Sequence, residues 1–153
     1  MRRSKFRSSV GIVTLLLFLP SLLPSQPQKT DTLAVRIVHI RNTKGKIWVA
    51  LFQSAQGFPE DDSKAFRIQE SSIDPQTLTA QVVFANVPQG VYAVSTFHDE
   101  NLNGKVDKNL IGIPKEGYGT SNNPGRKMRP PTFEEAHFSS NTHQPLEIRL
   151  IYW

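Results

Sequence analysis

Beyond residue 25, apolar residues in this chain fall in short runs of six to eight, several with every second position apolar. No window of ten or more keeps a helical three-and-four spacing without an intervening proline, glycine or β-branched run. A period of two marks strands that bury one face. Leu33–Ile40 places Leu33, Val35 and Ile37 on one side of an extended chain, and Thr77–Phe84 does the same with Leu78, Ala80, Val82 and Phe84. Ile47–Phe52 is apolar on both sides. It follows the first run after a turn cluster of Asn42, Lys44 and Gly45, so the two runs are expected to form a β-hairpin. Val91–Phe97 is introduced by Val87-Pro88-Gln89-Gly90, in which proline fixes one φ and Gly90 is free to take a positive one. Leu146–Tyr152 closes the set with Leu146, Ile148, Leu150 and Tyr152 facing inward. Gln53–Pro75 reads as a long connection with one short strand at Ala65–Ile68, and Gly112–Pro131 as an irregular one. Five or six short strands between turn signals predict an all-β fold, an antiparallel Greek-key β-sandwich over residues 33–153.

A length of 153 residues suits one compact domain. The formal charge of +5 points to a polyanion partner until its location is considered. Arg2, Arg3, Lys5 and Arg7 supply four of the 18 cations, and residues 1–25 contain no acid, so the rest of the chain sets 14 cations against 13 anions. A net of +1 gives no surplus for nucleic acid or an anionic membrane. Basic Met1–Arg7 followed by apolar Val10–Leu23 predicts a signal peptide of the general secretory type over residues 1–25, cleaved near Ser25, with residues 26–32 as a linker. The apolar stretch is shorter than the ~20 residues that span a bilayer and is broken by Pro20, so no permanent membrane anchor is expected. The expected location is therefore extracytoplasmic, periplasmic or secreted. Zero cysteines exclude disulfides, thiolate zinc, a cysteine nucleophile and a lipoprotein anchor.

The densest chemistry lies in His98-Asp99-Glu100-Asn101-Leu102-Asn103-Gly104-Lys105-Val106-Asp107, which begins as a predicted strand ends. Asp99, Asn101, Asn103 and Asp107 share one phase, as in calcium loops of the D-x-[DN]-x-[DN]-G type. Gly104 permits the bend, and Lys105 stands where such loops offer a backbone carbonyl. These five positions make a candidate Ca²⁺ site. The departure is Leu110, which occupies the twelfth position where a bidentate Glu normally sits; Glu116 is the nearest replacement, with water as another. The competing reading is an Asn- and Gly-rich connection whose side chains cap its own turns.

Other candidates have weaker patterns. His39, His98, His137 and His143 lack zinc-ligand spacing and read as scattered surface imidazoles. An enzyme acting on an envelope or extracellular polymer would draw on His98, Asp99 and Glu116 for acid–base work, yet His98 and Asp99 are adjacent on a strand and point to opposite faces. No G-x-S-x-G elbow is present. Gly117–Asn123 lacks the lysine and the following helix of a phosphate-binding loop. Its Tyr118, Asn122 and Asn123 suit a polar ligand such as a sugar, against the plainer reading of Tyr118 packed over the sandwich edge. Arg126, Lys127 and Arg129 read as a solvated loop, and Trp48, Tyr92 and Phe97 as core. The favoured reading is a non-enzymatic domain whose Ca²⁺-stiffened loop shapes a surface for an unidentified ligand or envelope partner.

Three stretches taken in order carry a resemblance: Val87-Pro88-Gln89-Gly90-Val91-Tyr92-Ala93-Val94, the His98–Asp107 string, and Gly112-Ile113-Pro114-Lys115-Glu116-Gly117-Tyr118-Gly119-Thr120-Ser121-Asn122-Asn123. Together with Phe58-Pro59, Pro131-x-Phe133 and Ala136-x-Phe138, they closely resemble the bacterial domain of unknown function 2141 family, from about Leu33 to Tyr152. The resemblance implies an exported β-sandwich and assigns no catalytic residue. A looser similarity to prealbumin-like and carboxypeptidase-regulatory-type sandwiches bears on fold alone.

Overall fold

The computed structural model describes residues 29–141 and 144–153. The expected signal peptide, the first linker residues and His143 lie outside the described residues. The strands are β1 (Thr30–Val38), β2 (Lys46–Phe52), β3 (Arg67–Ser71), β4 (Ala80–Pro88), β5 (Val91–Asp99), β6 (Tyr118–Thr120), β7 (Phe138–Ser139) and β8 (Leu146–Arg149), with one short helix, α1 (Phe133–Ala136). Two sheets form, ordered β4-β1-β8 and β3-β2-β5-β6, with β7 paired to β5. The core between them draws Leu33, Val35 and Ile37 from β1, Val82 and Phe84 from β4, and Ile148 from β8. Ile47, Val49 and Leu51 of β2 and Tyr92 and Val94 of β5 meet them from the other sheet. The chain is an all-β sandwich in which period-two alternation selects the buried faces.

Pairing departs from the sequence expectation in two places. β1 and β2 are not a hairpin: they lie in different sheets, and β2 pairs with β3 and β5. Between them His39 takes a left-handed φ of 61° and Ile40 is buried, which carries the chain across the core. Alternation tells which face is inward and says nothing of which strand is the neighbour. The apolar character of both faces of β2 is explained by Phe58, whose ring packs edge-on against Phe52 at 5.4 Å and against Phe133 at 5.9 Å. β8 joins β1 in parallel, so the sheets are not wholly antiparallel. Beyond it, Leu150 N–H donates to the Val38 carbonyl, and Ile151 bonds Tyr118 of the opposite sheet through both backbone groups.

The Val87–Gly90 turn also crosses between sheets, joining β4 to β5. The left-handed residue is Asn86, with φ 53°, rather than Gly90. The corner is pinned by Tyr92, buried to 1% exposure, whose hydroxyl donates to the Pro88 carbonyl at 2.8 Å and accepts from Gln53 Nε2 at 3.0 Å. This matches the tyrosine corner of Greek-key sandwiches. The short strand expected at Ala65–Ile68 is β3, two residues later, at the sheet edge. Its Gln69 and Ser71 side chains donate to the Val83 and Gln81 carbonyls of β4, and the Arg67 guanidinium to those of Ala85 and Asn86. Side chains thus cover an edge that would otherwise present an unpaired ladder. Gly112–Pro131, expected to be irregular, contains β6. β1 begins at Thr30, inside the expected linker.

Candidate functional site

The end of β5 delivers Asp99 into a loop held by its own polar side chains. Asp99 is 4% exposed, and its two oxygens accept the N–H groups of Asn103 (3.0 Å) and Gly104 (2.8 Å). Asn101 and Asn103 direct their carboxamide N–H groups at Asp107, one on each oxygen, at 2.8 and 3.0 Å. Their carbonyl oxygens accept the backbone N–H groups of Asn103 and Lys105. Asn101, Asn103 and Asp107 therefore meet at one place, with Asp99 tied to the same turn. Glu116, also 4% exposed, bridges the loop's two ends by accepting Glu100 N–H and Asp107 N–H, each at 2.9 Å. Among the described residues, no group of three or more His, Asp and Glu side chains is placed to hold a metal. The donor set here is two carboxylates, two carboxamides and the Lys105 carbonyl, oxygen chemistry that fits a hard cation.

Beneath the loop lies an anchor. His98 is fully buried, which corrects its expected place at the surface; its Nε2 meets the Lys44 carbonyl at 2.6 Å and its Nδ1 the Tyr152 hydroxyl at 2.9 Å. A carbonyl only accepts, so Nε2 carries a proton. Arg41 stacks over the Tyr152 ring at 4.6 Å and bonds Glu100, which also accepts from Asn42. Burial, with the Glu100 charge nearby, pushes the Tyr152 phenol up to about 12. A folded-state value above the unfolded one gives stability that is complete below about pH 10 and lost as pH rises through about 12. Chemical denaturation across pH 9–12.5 is expected to show that loss, and Tyr152→Phe to flatten it.

The outer face of the second sheet carries the alternate residues of each strand. Cross-strand pairing sets Trp48, Phe97 and Tyr118 in one row and Ala50, Ser95 and Thr120 in the next. Trp48 and Phe97 meet at 6.1 Å with their rings tilted by 31° on this outer face; Tyr92 lies between the sheets, whereas Phe97 is buried on the outer side and Trp48 only half-buried. A cleft of about 540 Å³ opens over Ser95, Phe97 and Thr120, walled by the 104–114 segment on one side and by residues 127–131 on the other. Trp48 Nε1 is shut off from solvent with no hydrogen-bond partner of normal geometry. Its residual pull on Asp62, in the cleft wall, does not offset the burial that pushes this carboxyl above its ordinary value.

The remaining expected residues are placed as follows. Tyr118 lines the cleft and accepts from the Trp153 indole at 3.2 Å. The Asn122 and Asn123 carboxamides are committed to backbone: Asn122 donates to Glu135 and His137 carbonyls, and Asn123 clasps Glu147 and Arg149 of β8. His98, Asp99 and Glu116 each spend their polar atoms on bonds within the fold, as described above. The basic cluster lies on an exposed loop, as expected, but its cations are partnered: Arg129 and Lys127 share Glu135, holding its carboxyl well below the usual range, and Arg126 stacks over Trp153 at 4.5 Å. Glu135 also accepts Thr132 N–H, the box signalled by Thr132-x-x-Glu135. Arg41, Tyr152 and Thr120 carry no local motif that names them; distant chain segments bring them here.

The fold and these contacts define a β-sandwich with a polar loop and an adjoining cleft at one end. The chain belongs to the family described as an uncharacterized protein conserved in bacteria (DUF2141), whose model matches residues 35–148. No curated protein and no solved structure matches the chain.

Proposed function

We propose that the chain is an exported, non-enzymatic binding domain in which one Ca²⁺ ion stiffens the Asp99–Asp107 loop and so fixes a wall of the adjoining cleft. Asp99, Asn101, Asn103 and Asp107 supply side-chain oxygens and Lys105 its carbonyl. The observation that carries the reading is the grip of both Asp107 oxygens on Asn101 and Asn103, beside Asp99 anchored to the turn at Gly104. Turning the two carboxamides presents oxygen in place of nitrogen where Asp107 already points. Export is supported by the basic-then-apolar order of Met1–Leu23. The non-catalytic reading is supported by the full engagement of His98, Asp99 and Glu116 within the fold.

With two carboxylates, affinity falls in the extracellular range, on the order of 10⁻⁴ to 10⁻³ M. At tenfold excess over Kd the ion adds about 1.4 kcal/mol, roughly 4–6 °C in a domain of this size. Thermal melts in 10 mM CaCl₂ and in EGTA are expected to differ by that amount, and the Asp99→Ala/Asp107→Ala variant to lose the difference. Equal midpoints for the unaltered protein, or an equal shift in the variant, remove the metal.

A further inference from the structure

We propose that the cleft on the outer face of the second sheet binds a small organic cation, a primary amine on an aromatic or apolar body, with Asp62 as its counter-charge and the Ser95 hydroxyl as a second contact. This rests on the reading of the chain as a binding domain, and not on the metal. Asp62 stands half-buried in the cleft wall, and among the described residues no cation is paired with its carboxylate. Burial pushes this carboxyl above its ordinary value, against the pull of the neighbouring Trp48 indole and together with the charge of Asp61. A carboxylate that loses water without gaining a counter-ion is costly, and a cation brought into the cleft removes that cost. The floor offers a second group. Ser95 is partly exposed and lines the cleft, and among the described residues its hydroxyl has no hydrogen-bond partner. Trp48 pairs with Phe97, two residues beyond Ser95, so Trp48 and Ser95 are diagonal neighbours roughly 7–8 Å apart. With Asp62 beside Trp48, carboxylate and hydroxyl fall within the span of one small molecule.

The charges lining the cleft select the sign of the ligand. Lys108 pairs with Glu60 at 2.7 Å, and Lys127 and Arg129 share Glu135. Of the two acids that line the cleft, Asp62 is therefore the one left uncompensated. Lys105 is also unpaired, but it is exposed and its long chain extends into water, whereas Asp62 is held in place by the wall. Phe97 and Tyr118 line the same cleft. The face of an aromatic ring attracts an ammonium as well as covering its carbon body, and Arg126 over the Trp153 ring at 4.5 Å shows that contact at this end of the molecule. A volume of about 540 Å³ admits a ligand of this kind.

The probe is 2-phenylethylamine, titrated by isothermal calorimetry into the full chain at neutral pH, beside its uncharged and anionic counterparts 2-phenylethanol and 3-phenylpropanoate. Saturable binding of the amine is expected, about tenfold tighter than either counterpart. Asp62→Asn, which keeps the shape and removes the charge, should weaken the amine about tenfold. It should leave the melting midpoint of the free protein unchanged or higher, because no cation in the fold balances that charge. Ser95→Ala should weaken the amine about threefold with the midpoint unchanged. No saturable binding of the amine, binding of 3-phenylpropanoate as tight or tighter, affinity indifferent to Asp62→Asn, or a midpoint lowered by that variant each overturns the proposal. Repeating the titration and the melts in CaCl₂ and in EGTA separates the two readings: a calcium shift without amine binding sinks the ligand alone, and amine binding without a calcium shift sinks the metal alone.

Discussion

Gly45→Ala is expected to cost about 4 kcal/mol, from ~1–2 for a left-handed φ and ~1–3 for overpacking, and to lower the melting midpoint by roughly 15 °C. Gly45 has φ +65°, and a Cβ built on it falls 1.8 Å from the Asp99 carbonyl oxygen and 2.7 Å from Glu100 Cα. These are backbone atoms of a paired strand, Lys46 facing Asp99 across the ladder, so no side chain can swing aside. Relief requires β5 to separate from β2 where it enters the loop. Set against a total stability of about 5–15 kcal/mol, such a loss leaves little. Gly125→Ala is the control: its φ is +81°, but nothing lies within 4 Å of the added carbon, so only the conformational cost of about 1 kcal/mol applies. Equal midpoints for the two variants would mean that the close approach of β5 over Gly45 is not rigid.

Gly45 also marks where the sequence stops informing. Its place in an Asn-Lys-Gly cluster announces a turn, and the turn is there, but the hairpin it suggested is not. Local chemistry decides that a chain bends; the partner across the bend is decided by which apolar faces must meet, and Ile40 of the connection and Ile47 of β2 both enter the core. The inward residues of β1, β4 and β8 were readable because period two is a local property. Proline and tyrosine at Pro88 and Tyr92 marked the corner, although not that it crosses between sheets. In the loop, the shared phase of Asp99, Asn101, Asn103 and Asp107 was visible, since all four lie within nine residues. Its foundations were not: His98 leans on Tyr152, 54 residues away, and Arg41 on Glu100, 59 away. Such pairs exist only after the sheets close. Thr120 is likewise anonymous in sequence, one threonine in a short strand, and becomes distinctive only as a buried hydroxyl without a partner.

Glu116→Ala is the second large expected effect, about 3 kcal/mol, because two half-buried N–H groups lose a charged acceptor at once. The spacing that made Glu116 the nearest replacement for the missing twelfth ligand placed it correctly beside the loop, but its carboxylate already spans Glu100 N–H and Asp107 N–H. It is a clamp holding the loop's entrance to its exit, across residues whose side chains are otherwise exposed. Glu116→Gln should recover only part of the loss, since its single oxygen serves one N–H while its amide nitrogen confronts the other. Loss of the clamp frees the loop before the sandwich, so limited trypsin digestion of the Ala variant is expected to cut after Lys105 under conditions that leave the parent chain intact. An exposed-residue change in the same loop, Leu102→Ala, should alter neither melting nor cleavage, because Leu102 is 62% exposed. Were Glu116 instead a ligand with little structural duty, Glu116→Gln would melt like the parent chain in EGTA and differ from it only in calcium. A midpoint already lowered in EGTA, together with early cleavage at Lys105, is what a carboxylate committed to two backbone amides requires.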